Sequence, residues 1–407
     1  AGHKLVVVVS AMGDTTDELL DTAAQITDNA PEREMDILLT AGERISMSLL
    51  SMAINELGVP AQAFTGAQAG IHTTSAYGRA QITGMVPERI ARSISEGQVA
   101  IVAGFQGISD DDDVTTLGRG GSDTTAVALA AALHADVCEI YTDVDGLFSA
   151  DPRIVPKAHR LRSISTEETL ELAAHGAKIL HLRAVEFARR YKVPLHVRSS
   201  FSEKEGTWIS DRPASPALKG LVPDAAFLDP KEGKMEQPII SGIAHDRGQD
   251  KITVAGVPNH PGRAAMVFQT IAAAGANIDM IVQNIPVADP TRANITFTIP
   301  EADAQVALDA LESAKEEIGF KEVRYNPNIG KLSLVGTGMR TNPGVAARLF
   351  AALSEAGINI DLISSSEIRL SIVTKLDDLD RAVAVVHSAF GLDAEVSEAV
   401  VYAGTGR

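Results

Sequence analysis

Short runs of apolar residues alternate with longer amphipathic stretches over the first half of the chain. Until about residue 210 the short runs are rich in β-branched side chains, which predicts buried strands, and the longer stretches have the period of helices. Continuous apolar strands that alternate with helices are typical of a mostly parallel sheet with helices on both faces. The pattern predicts an α/β domain, a three-layer αβα sandwich with ligands at the carboxyl ends of its strands. The predicted strands are 5–10, 99–105, 137–143 and 193–197, and the predicted helices lie within 35–57, 122–133 and 166–191.

An internal repeat organises the second half. The Pro-Gly pair at 261–262 recurs at 343–344, and in both copies a Gly-x-Asn-Ile-Asp sequence begins 13 residues after that Gly. A Pro near the first turn of a helix and a Gly after its last turn explain these two fixed positions. Each copy predicts a βαββαβ unit of ferredoxin-like type, which buries one sheet face under two helices. Paired units of this kind would form small-ligand pockets along their seam.

A polar stretch rich in Glu, Lys, Pro and Gly separates the two halves, at about residues 202–237, and predicts a connection between domains. We therefore expect a first domain over 1–225 and a linker over 226–238. The first repeat unit, with a preceding strand, is expected over 239–328 and the second over 329–407.

The charge balance excludes some partners. There are 36 Lys and Arg residues against 53 Asp and Glu residues, a net charge of −17, which disfavours nucleic acid and acidic lipid. The longest purely apolar run, 126–133, is far shorter than the roughly 20 residues of a membrane span. The single cysteine, Cys138, cannot form an internal disulfide and lies in a predicted strand, so we expect a buried thiol in a cytoplasmic protein.

Two glycine-containing segments carry candidate anion-binding chemistry. In 117–126, glycines let backbone N–H groups approach an anion at a helix N-terminus, and Arg119 could clamp a carboxylate or phosphate. The alternative is an ordinary turn capped by Ser122 or Asp123. In 141–153, strand-end carboxylates, an aromatic residue and an Arg could border a nucleotide, although such stretches are usually hydrophilic turns.

Two further segments are ambiguous from the residues alone. Thr15 and Glu18 have the spacing of a capping box, whether or not Ser10 and Thr16 also meet a ligand. Glu43 lies in a helical stretch where a charged residue is normally solvated. Residue types and spacing thus lead to an α/β enzyme that binds a small anion and has a duplicated C-terminal module.

Taken together, these motifs resemble the aspartate kinase family, in which an amino-acid-kinase domain precedes two ACT regulatory units. The resemblance covers nearly the whole chain and implies transfer of a phosphoryl group from MgATP to the β-carboxylate of L-aspartate, at the head of lysine, threonine and methionine biosynthesis. This acceptor is already ionised at neutral pH, so the chemistry needs positioning, cations and N–H donors rather than a general base. The motifs that occur in the family's order are 9–13, 39–44, 104–107, 116–123, 141–146 and both repeat copies.

The resemblance also implies residue roles. Arg119 would clamp the substrate α-carboxylate, Glu43 its ammonium group, and Asp123 would orient a phosphate-binding lysine or the metal. Mg²⁺ would enter with ATP, and no protein metal ligand is predicted. The implied catalytic residues are Asp123, Arg119 and Lys178; the substrate-binding residues are Thr16, Glu43, Arg119, Gly120, Gly121 and Ser122; and the ATP-binding residues are Ser10, Ser122, Thr142, Asp143, Phe148, Asp151, Arg153 and Lys178.

Regulation follows from the same resemblance. Lysine, threonine or both would bind the ACT units, although Pro-Gly and Gly-x-Asn also simply shape turns. The chain would form a homo-oligomer through these units, and an α2β2 assembly is permitted if a separate C-terminal subunit starts near Met235. The implied effector-binding residues are Asn259, Gly262, Asn277, Ile278, Asp279, Gln283, Asn359, Ile360 and Glu367.

One family feature is not found in this sequence. Family members begin with a strand that ends in Lys-Tyr-Gly-Gly-Ser/Thr-Ser, whose Lys neutralises the transferring phosphate, whereas this sequence starts at Ala1 just before an apolar run. We expect the natural protein to carry that segment, and a kinase without it to be almost inactive. Two alternatives stay open: an amino-acid kinase for another acid, and a non-catalytic amino-acid sensor with a degenerate kinase half.

Overall fold

The computed structural model describes residues 2–177, 179–211, 239–337, 339, 342 and 344–394. The predicted Lys178, the linker 226–238 with Met235, and residues 395–407 lie outside these ranges. The elements of the first half are β1 (Val6–Val9), α1 (Thr15–Ala24), α2 (Glu32–Leu39), α3 (Ala41–Glu56), β2 (Ala61–Phe64), β3 (Ile71–Thr73), β4 (Ile82–Met85), α4 (Glu88–Ser95), β5 (Val99–Ala103), β6 (Gln106–Ile108), β7 (Val114–Thr116), α5 (Gly121–Ala132), β8 (Cys138–Thr142), β9 (Ser163–Ile164), α6 (Thr166–Ala174), α7 (Leu182–Tyr191), β10 (Leu195–Ser199) and β11 (Thr207–Ile209).

The first half is an α/β domain with parallel strands at its centre, as predicted. Strands β1, β5 and β2 form one parallel sheet, and a second sheet has the order β8-β10-β11-β9 with β8 parallel to β10. Helix α5 packs on both β1 and β8 and so joins the two sheets. A smaller sheet, β4-β3-β6-β7, lies beside them. The four predicted strands correspond to β1, β5, β8 and β10. Strands β5 and β10 are buried along most of their length, as apolar central strands are, whereas β8 alternates between buried and exposed residues.

The predicted helix 166–191 is divided into α6 and α7. Between them Gly176 has a φ of 110°, and a Cβ there would lie only 1.9 Å from the carbonyl oxygen of His245. Only glycine tolerates both the left-handed conformation and this close approach, so the chain divides where α6 meets the backbone of the second half.

Helices α2 and α3 together form a run, Glu32–Glu56, that by length and composition alone could cross a membrane, the one such run in the described ranges. Core helices of globular domains often pass the same test. Several of the residues that this run buries are polar, among them Asp36, Glu43 and Ser46.

The second half contains two four-stranded antiparallel sheets, each covered by helices. Their orders are β14-β15-β13-β16 and β12-β17-β19-β18. The elements are β12 (Ile239–Asp246), β13 (Gln249–Pro258), α8 (Arg263–Ala273), β14 (Ile281–Asn284), β15 (Arg292–Pro300), α9 (Glu301–Ser313), α10 (Lys315–Ile318), β16 (Glu322–Asn326), β17 (Ile329–Thr337), α11 (Gly344–Glu355), β18 (Leu362–Ser365), β19 (Arg369–Lys375) and α12 (Leu379–Ala389).

Strand β12 differs from the expectation that the strand before the first unit belongs to that unit. It pairs with β17, from Ile239 opposite Thr337 to Asp246 opposite Lys331, and takes the place in the second sheet that β16 takes in the first. The first unit (β13 to β16) is thus inserted between β12 and the rest of the second unit (β17 to α12). Almost all of β17 is buried, so it needs a hydrogen-bonded partner on each edge, and β12 supplies one of them.

The second unit shares its core with the first domain. Phe148 and Ala150 pack in the same apolar cluster as Leu332, Leu334 and Leu349. The segment that follows β8 is therefore held between the α/β domain and the second repeat unit.

Candidate active site

Residues 117–120, here called the Arg119 loop, connect β7 to α5. Gly118 and Gly120 have φ values of 73° and 69°, in the left-handed region that favours glycine. A Cβ on Gly120 would lie 1.9 Å from the ring of His181, so this position admits glycine alone. The alternative of a turn capped by Ser122 or Asp123 is wrong: Gly120 occupies the N-cap position, and no side chain caps the helix.

The arrangement leaves cationic and N–H groups available to an anion. The N–H groups in the first turn of a helix lack intrahelical acceptors, and the positive end of the helix dipole lies there. The Arg119 side chain is exposed and makes no hydrogen bond or ion pair with any residue that the structure describes. A free guanidinium beside a helix N-terminus suits a carboxylate or a phosphate.

Ser10 and Ser122 bring two of the predicted segments together. The Ser122 hydroxyl donates to Ser10 Oγ at 3.2 Å, across 112 residues of sequence. A Cβ on Gly104 would lie 2.8 Å from Ser122 Oγ, so the end of β5 passes directly beneath this contact. The ends of β1 and β5 and the start of α5 therefore meet at one place, at the carboxyl edge of the parallel sheet.

Glu43 joins the same region from α3. Its side chain is buried, Oε1 accepts a hydrogen bond from Ala11 N at 3.2 Å, and Oε2 has no partner in the described part of the chain. Burial raises the pKa of this carboxyl group. Its position in the sequence predicts a solvated charge, which is wrong, whereas the resemblance predicts a buried ligand. A buried carboxylate oxygen without a partner is costly and suits a cationic group of a substrate.

Other predicted residues on this side have weaker ties. Thr16 is half-buried in the first turn of α1. The capping box of Thr15 and Glu18 is wrong, because Asp14 holds the N-cap position without a side-chain bond and the Thr15 hydroxyl donates to Met12 O at 2.7 Å.

Asp123 is half-buried in the first turn of α5. Burial raises the pKa of its carboxyl group, an effect that His181 opposes. The Gly121 backbone starts α5, directly against Phe105 of the 104–107 motif.

The predicted nucleotide side begins where β8 ends. The Thr142 hydroxyl donates to Asp143 Oδ1 at 3.1 Å, and Ser200 N donates to Thr142 O at 2.8 Å, which ties the end of β8 to the end of β10. Further along, Asp151 accepts hydrogen bonds from Arg153 N, Nε and Nη2 at 2.9, 3.0 and 2.8 Å. Although burial alone would raise the pKa of Asp151, these bonds lower it.

The structure contradicts the prediction that Phe148 contacts ATP. Its ring is buried, at 6% exposure, in the core that the α/β domain shares with the second regulatory unit, so it cannot stack on a nucleotide. Sequence reasoning missed Asp145 nearby, a buried carboxylate that accepts from Ser202 Oγ at 2.6 Å and Lys204 Nζ at 2.7 Å and fixes the loop after β8.

The predicted effector residues of the first unit lie on two connections. Gly262 starts α8 with a φ of 94°, and the Asn259 side chain donates to Pro290 O at 3.0 Å. Asn277 N donates to Asp303 Oδ2 at 3.1 Å on the connection to β14. Ile278 packs against the apolar core of this unit, and Gln283 is exposed on β14.

Asp279 is already engaged: its Oδ2 lies 2.5 Å from the buried Nζ of Lys331, in the other unit.

In the second unit, the predicted effector residues are more dispersed. Asn359 O accepts from Thr374 Oγ1 at 2.8 Å, and Ile360 packs against the core. Glu367 lines a cavity of about 500 Å³ with Phe350 and Arg369. The structure therefore places Glu367 in a cavity of the second unit and Asp279 at the contact between the units.

Comparisons with known proteins agree with this architecture. The profile described as the amino acid kinase family matches residues 1–199, and the ACT domain profile matches residues 252–314 and 332–390. Fold and site thus define a kinase of the amino-acid-kinase class with a duplicated ACT regulatory module.

Relatives narrow that class. The aspartokinases of Mycolicibacterium smegmatis and Corynebacterium glutamicum are 56% and 51% identical over 408 residues, which cover 100% of this chain and 93% of each relative. E. coli aspartokinase III solved with aspartate and ADP (R-state) has a TM-score of 0.75 at 26% identity, over 92% of this chain and 80% of that chain. The same enzyme solved with lysine and aspartate (T-state) has a TM-score of 0.62 at 27% identity, over 92% and 79%. The chain belongs to the aspartokinase family.

Proposed function

We propose that the chain transfers the γ-phosphoryl group of MgATP to the β-carboxylate of L-aspartate, which gives 4-phospho-L-aspartate and ADP. The observation that carries the proposal is the buried Oε2 of Glu43, which has no hydrogen-bond partner among the described residues and lies beside the segments that meet at Ser10 and Ser122. An amino acid needs an anionic partner for its ammonium group and a cationic partner for its α-carboxylate. Glu43 and Arg119 supply one of each.

The chemistry then depends on position and charge. A β-carboxylate oxygen attacks the γ-phosphorus while the bond from that phosphorus to the bridging oxygen breaks and ADP leaves. Arg119 would hold the α-carboxylate, and Thr16 and Ser122 would donate hydrogen bonds to the substrate. Both reactants are anionic, so N–H groups at the start of α5 and nearby cations lower the barrier by offsetting repulsion.

For the nucleotide we propose contacts from Ser10, Thr142, Asp143, Asp151 and Arg153, with Lys178 on the phosphate side. Mg²⁺ is usually held by phosphates and one or two carboxylates, and Asp123, a half-buried carboxylate in the first turn of α5, fits that donor chemistry. When bound, Mg²⁺ would neutralise phosphate charge.

An aspartate-dependent hydroxamate assay on the full-length enzyme tests this function. Turnover with L-aspartate and not with L-glutamate is expected, because the ammonium, the α-carboxylate and the reacting carboxylate must fit at fixed separations. Arg119→Lys should raise the KM for aspartate, since an ammonium cannot bind a carboxylate in bidentate fashion. Arg33→Lys is the control, because Arg33 forms a surface ion pair with Asp113 at 2.7 Å. Turnover with another acid, or none at all, would reject the proposal.

We further propose that lysine, threonine or both bind the ACT units and inhibit the enzyme, with Asp279 as one contact. Asp279→Ala should relieve inhibition and leave the uninhibited rate largely intact. Unchanged sensitivity to lysine plus threonine would contradict this role.

Association through the ACT units, an α2β2 assembly with a subunit that starts near Met235, and a cytoplasmic location are also part of the proposal. Sedimentation of the full-length enzyme with and without effectors tests the assembly.

A further inference from the structure

Asp36 is a buried carboxylate for which the proposed reaction has no use. It lies in α2 with 1% of its surface exposed. Its oxygens accept hydrogen bonds from Gly78 N at 2.9 and 3.0 Å, from Thr116 N at 2.8 Å and from Thr116 Oγ1 at 2.7 Å. These donors are 42 and 80 residues away in sequence. Burying a carboxylate is costly unless hydrogen bonds replace water, so this residue fixes its partners firmly.

Both partners of Asp36 adjoin the Arg119 loop. Thr116 is the last residue of β7, and the loop begins at the next residue. Gly78 touches the loop from the side, because a Cβ on Gly118 would lie 2.9 Å from Gly78 O. Asp36 therefore holds the start of the loop and the backbone against which its second residue packs.

Arg183 of α7 supports the same two segments through their carbonyl groups. Its guanidinium donates to Leu117 O at 2.5 Å and to Ala80 O at 3.1 Å. Ala80 N in turn donates to Thr116 O at 2.8 Å. Asp36 thus holds two backbone N–H groups of this region, and Arg183 holds two of its carbonyl groups.

We infer that Asp36 is a positioning residue for substrate binding: through Thr116 and Gly78 it sets the Arg119 loop so that the Arg119 guanidinium meets the α-carboxylate of the substrate. The inference rests on the proposed aspartate kinase function. The Arg119 side chain makes no hydrogen bond or ion pair with a described residue, so the loop backbone is what sets the point from which its guanidinium extends. Displacement of about 1 Å in such a contact costs orders of magnitude in rate.

Side-chain chemistry gives a pattern that a purely structural role would not. In Asp36→Asn, the remaining oxygen can accept from both backbone N–H groups, and the new NH₂ can donate to a Thr116 hydroxyl that turns to accept. Thr116→Val removes the hydroxyl and keeps the carboxylate bonds to both N–H groups. The double variant leaves the Asn NH₂ without an acceptor, which is the costly case.

Steady-state kinetics of the full-length enzyme test the inference. Asp36→Ala should raise the KM for L-aspartate by about tenfold or more and leave the KM for ATP within about twofold. Each conservative single variant should stay within about threefold of wild type, and Asp36→Asn/Thr116→Val should match Asp36→Ala. If Asp36→Ala does not fold, Thr116→Val and the double variant decide.

Thr73→Val is the matched control. The Thr73 hydroxyl bonds to Thr115 Oγ1 at 2.5 Å in the same small sheet, and Thr73 is about as buried as Thr116. Among the described residues, the Thr73 side chain makes no hydrogen bond to the Arg119 loop. This variant should lower the melting temperature without changing the KM for aspartate.

If Asp36→Ala and the double variant change the KM for aspartate and the KM for ATP equally, the inference is overturned. It is also overturned if these variants lower the melting temperature and change neither KM. A wild-type enzyme without aspartate turnover would reject the proposed function, and the inference with it.

Discussion

Two ion pairs related by the internal repeat connect the regulatory units. Lys251 and Lys331 occupy equivalent positions at the starts of the copies, as do Asp279 and Asp361 after the glycine turns. Each lysine reaches the aspartate of the other unit: Lys251 Nζ lies 2.6 Å from Asp361 Oδ2, and Lys331 Nζ lies 2.5 Å from Asp279 Oδ2. The units thus offer a matched pair of perturbations, Asp279→Ala and Asp361→Ala.

Burial predicts very different costs. The Lys331 side chain is 1% exposed and that of Asp279 is 32% exposed, so Asp279→Ala leaves a buried ammonium with Asp246, 3.9 Å away, as the only anion within ion-pair distance in the described ranges. Losing one partner of a buried ion pair costs about 3–5 kcal/mol, and we expect about 3 kcal/mol here. Lys251 is 20% exposed and Asp361 is 30% exposed, so the second variant should cost about 1 kcal/mol or less.

Thermal unfolding measures the difference. For a folded region of about 150 residues, the size of the two units together, about 1 kcal/mol shifts the melting temperature by roughly 2–4 °C, so Asp279→Ala should lower it by about 6–12 °C and Asp361→Ala by about 4 °C at most. Although burial opposes it, the contact with Lys331 lowers the pKa of Asp279. The stability from this pair is therefore present above the ordinary carboxyl pKa and is lost as the pH falls through the lowered value. Equal shifts for the two variants, or a difference that persists in strong acid, would refute this reasoning.

Three further predictions concern single buried groups. Burial and two nearby cations lower the pKa of His175 to about 4. The stability that the neutral ring contributes should be full above about pH 6.5 and fall by about 3 kcal/mol as the pH drops to about 4. In unfolding measured against pH, His175→Gln should remove this dependence. Burial raises the pKa of Glu43, and an ammonium group bound beside it favours the ionised carboxylate, so aspartate binding at mildly acidic pH should release a proton. Calorimetry in buffers of different ionisation enthalpy measures this release, and Glu43→Gln should abolish it. His387→Ala removes one hydrogen-bond partner of Ser149 Oγ, which lies 2.8 Å from His387 Nε2 in a fully buried contact and also accepts from His159 N at 3.1 Å. We expect a cost of about 2–4 kcal/mol in denaturant unfolding and a higher KM for ATP alone.

Local physics explains what the sequence could predict. Apolar runs became buried strands because a strand covered on both faces has no solvent-exposed positions to be polar. Left-handed Gly118 and Gly120 could be anticipated as a turn that leads into a helix, because few other residues adopt that conformation. The placement of Cys138 in a strand, buried at 7% exposure, followed from the same apolar pattern.

The remaining features depend on contacts between distant segments, which a local pattern does not contain. The partner of an antiparallel strand can come from anywhere in the chain, so nothing in 239–246 marks β12 as part of the second unit. The sequence around Phe148 predicts an exposed aromatic residue in a polar turn, whereas in the structure the second unit buries it. Nothing local singled out Asp36: its helix neighbours four and three residues earlier are Glu32 and Arg33, so it looked like one more solvated charge of α2.

The route between the regulatory units and the active site follows from shared packing. The second unit contacts the nucleotide-side segment through Ser149, whose backbone oxygen accepts from Ile243 N at 2.7 Å and whose hydroxyl bonds to His387. It contacts the end of α6 through Arg369, which bonds to His175. Packed interiors do not deform continuously, so a rearrangement of the second unit must carry these two segments with it or break the contacts. Inhibition that originates in the first unit would pass through its contacts with the second, which include the two ion pairs and the apolar cluster of Met280 with Ile329 and Val373. The two aspartate variants should therefore differ in feedback sensitivity as well as in stability.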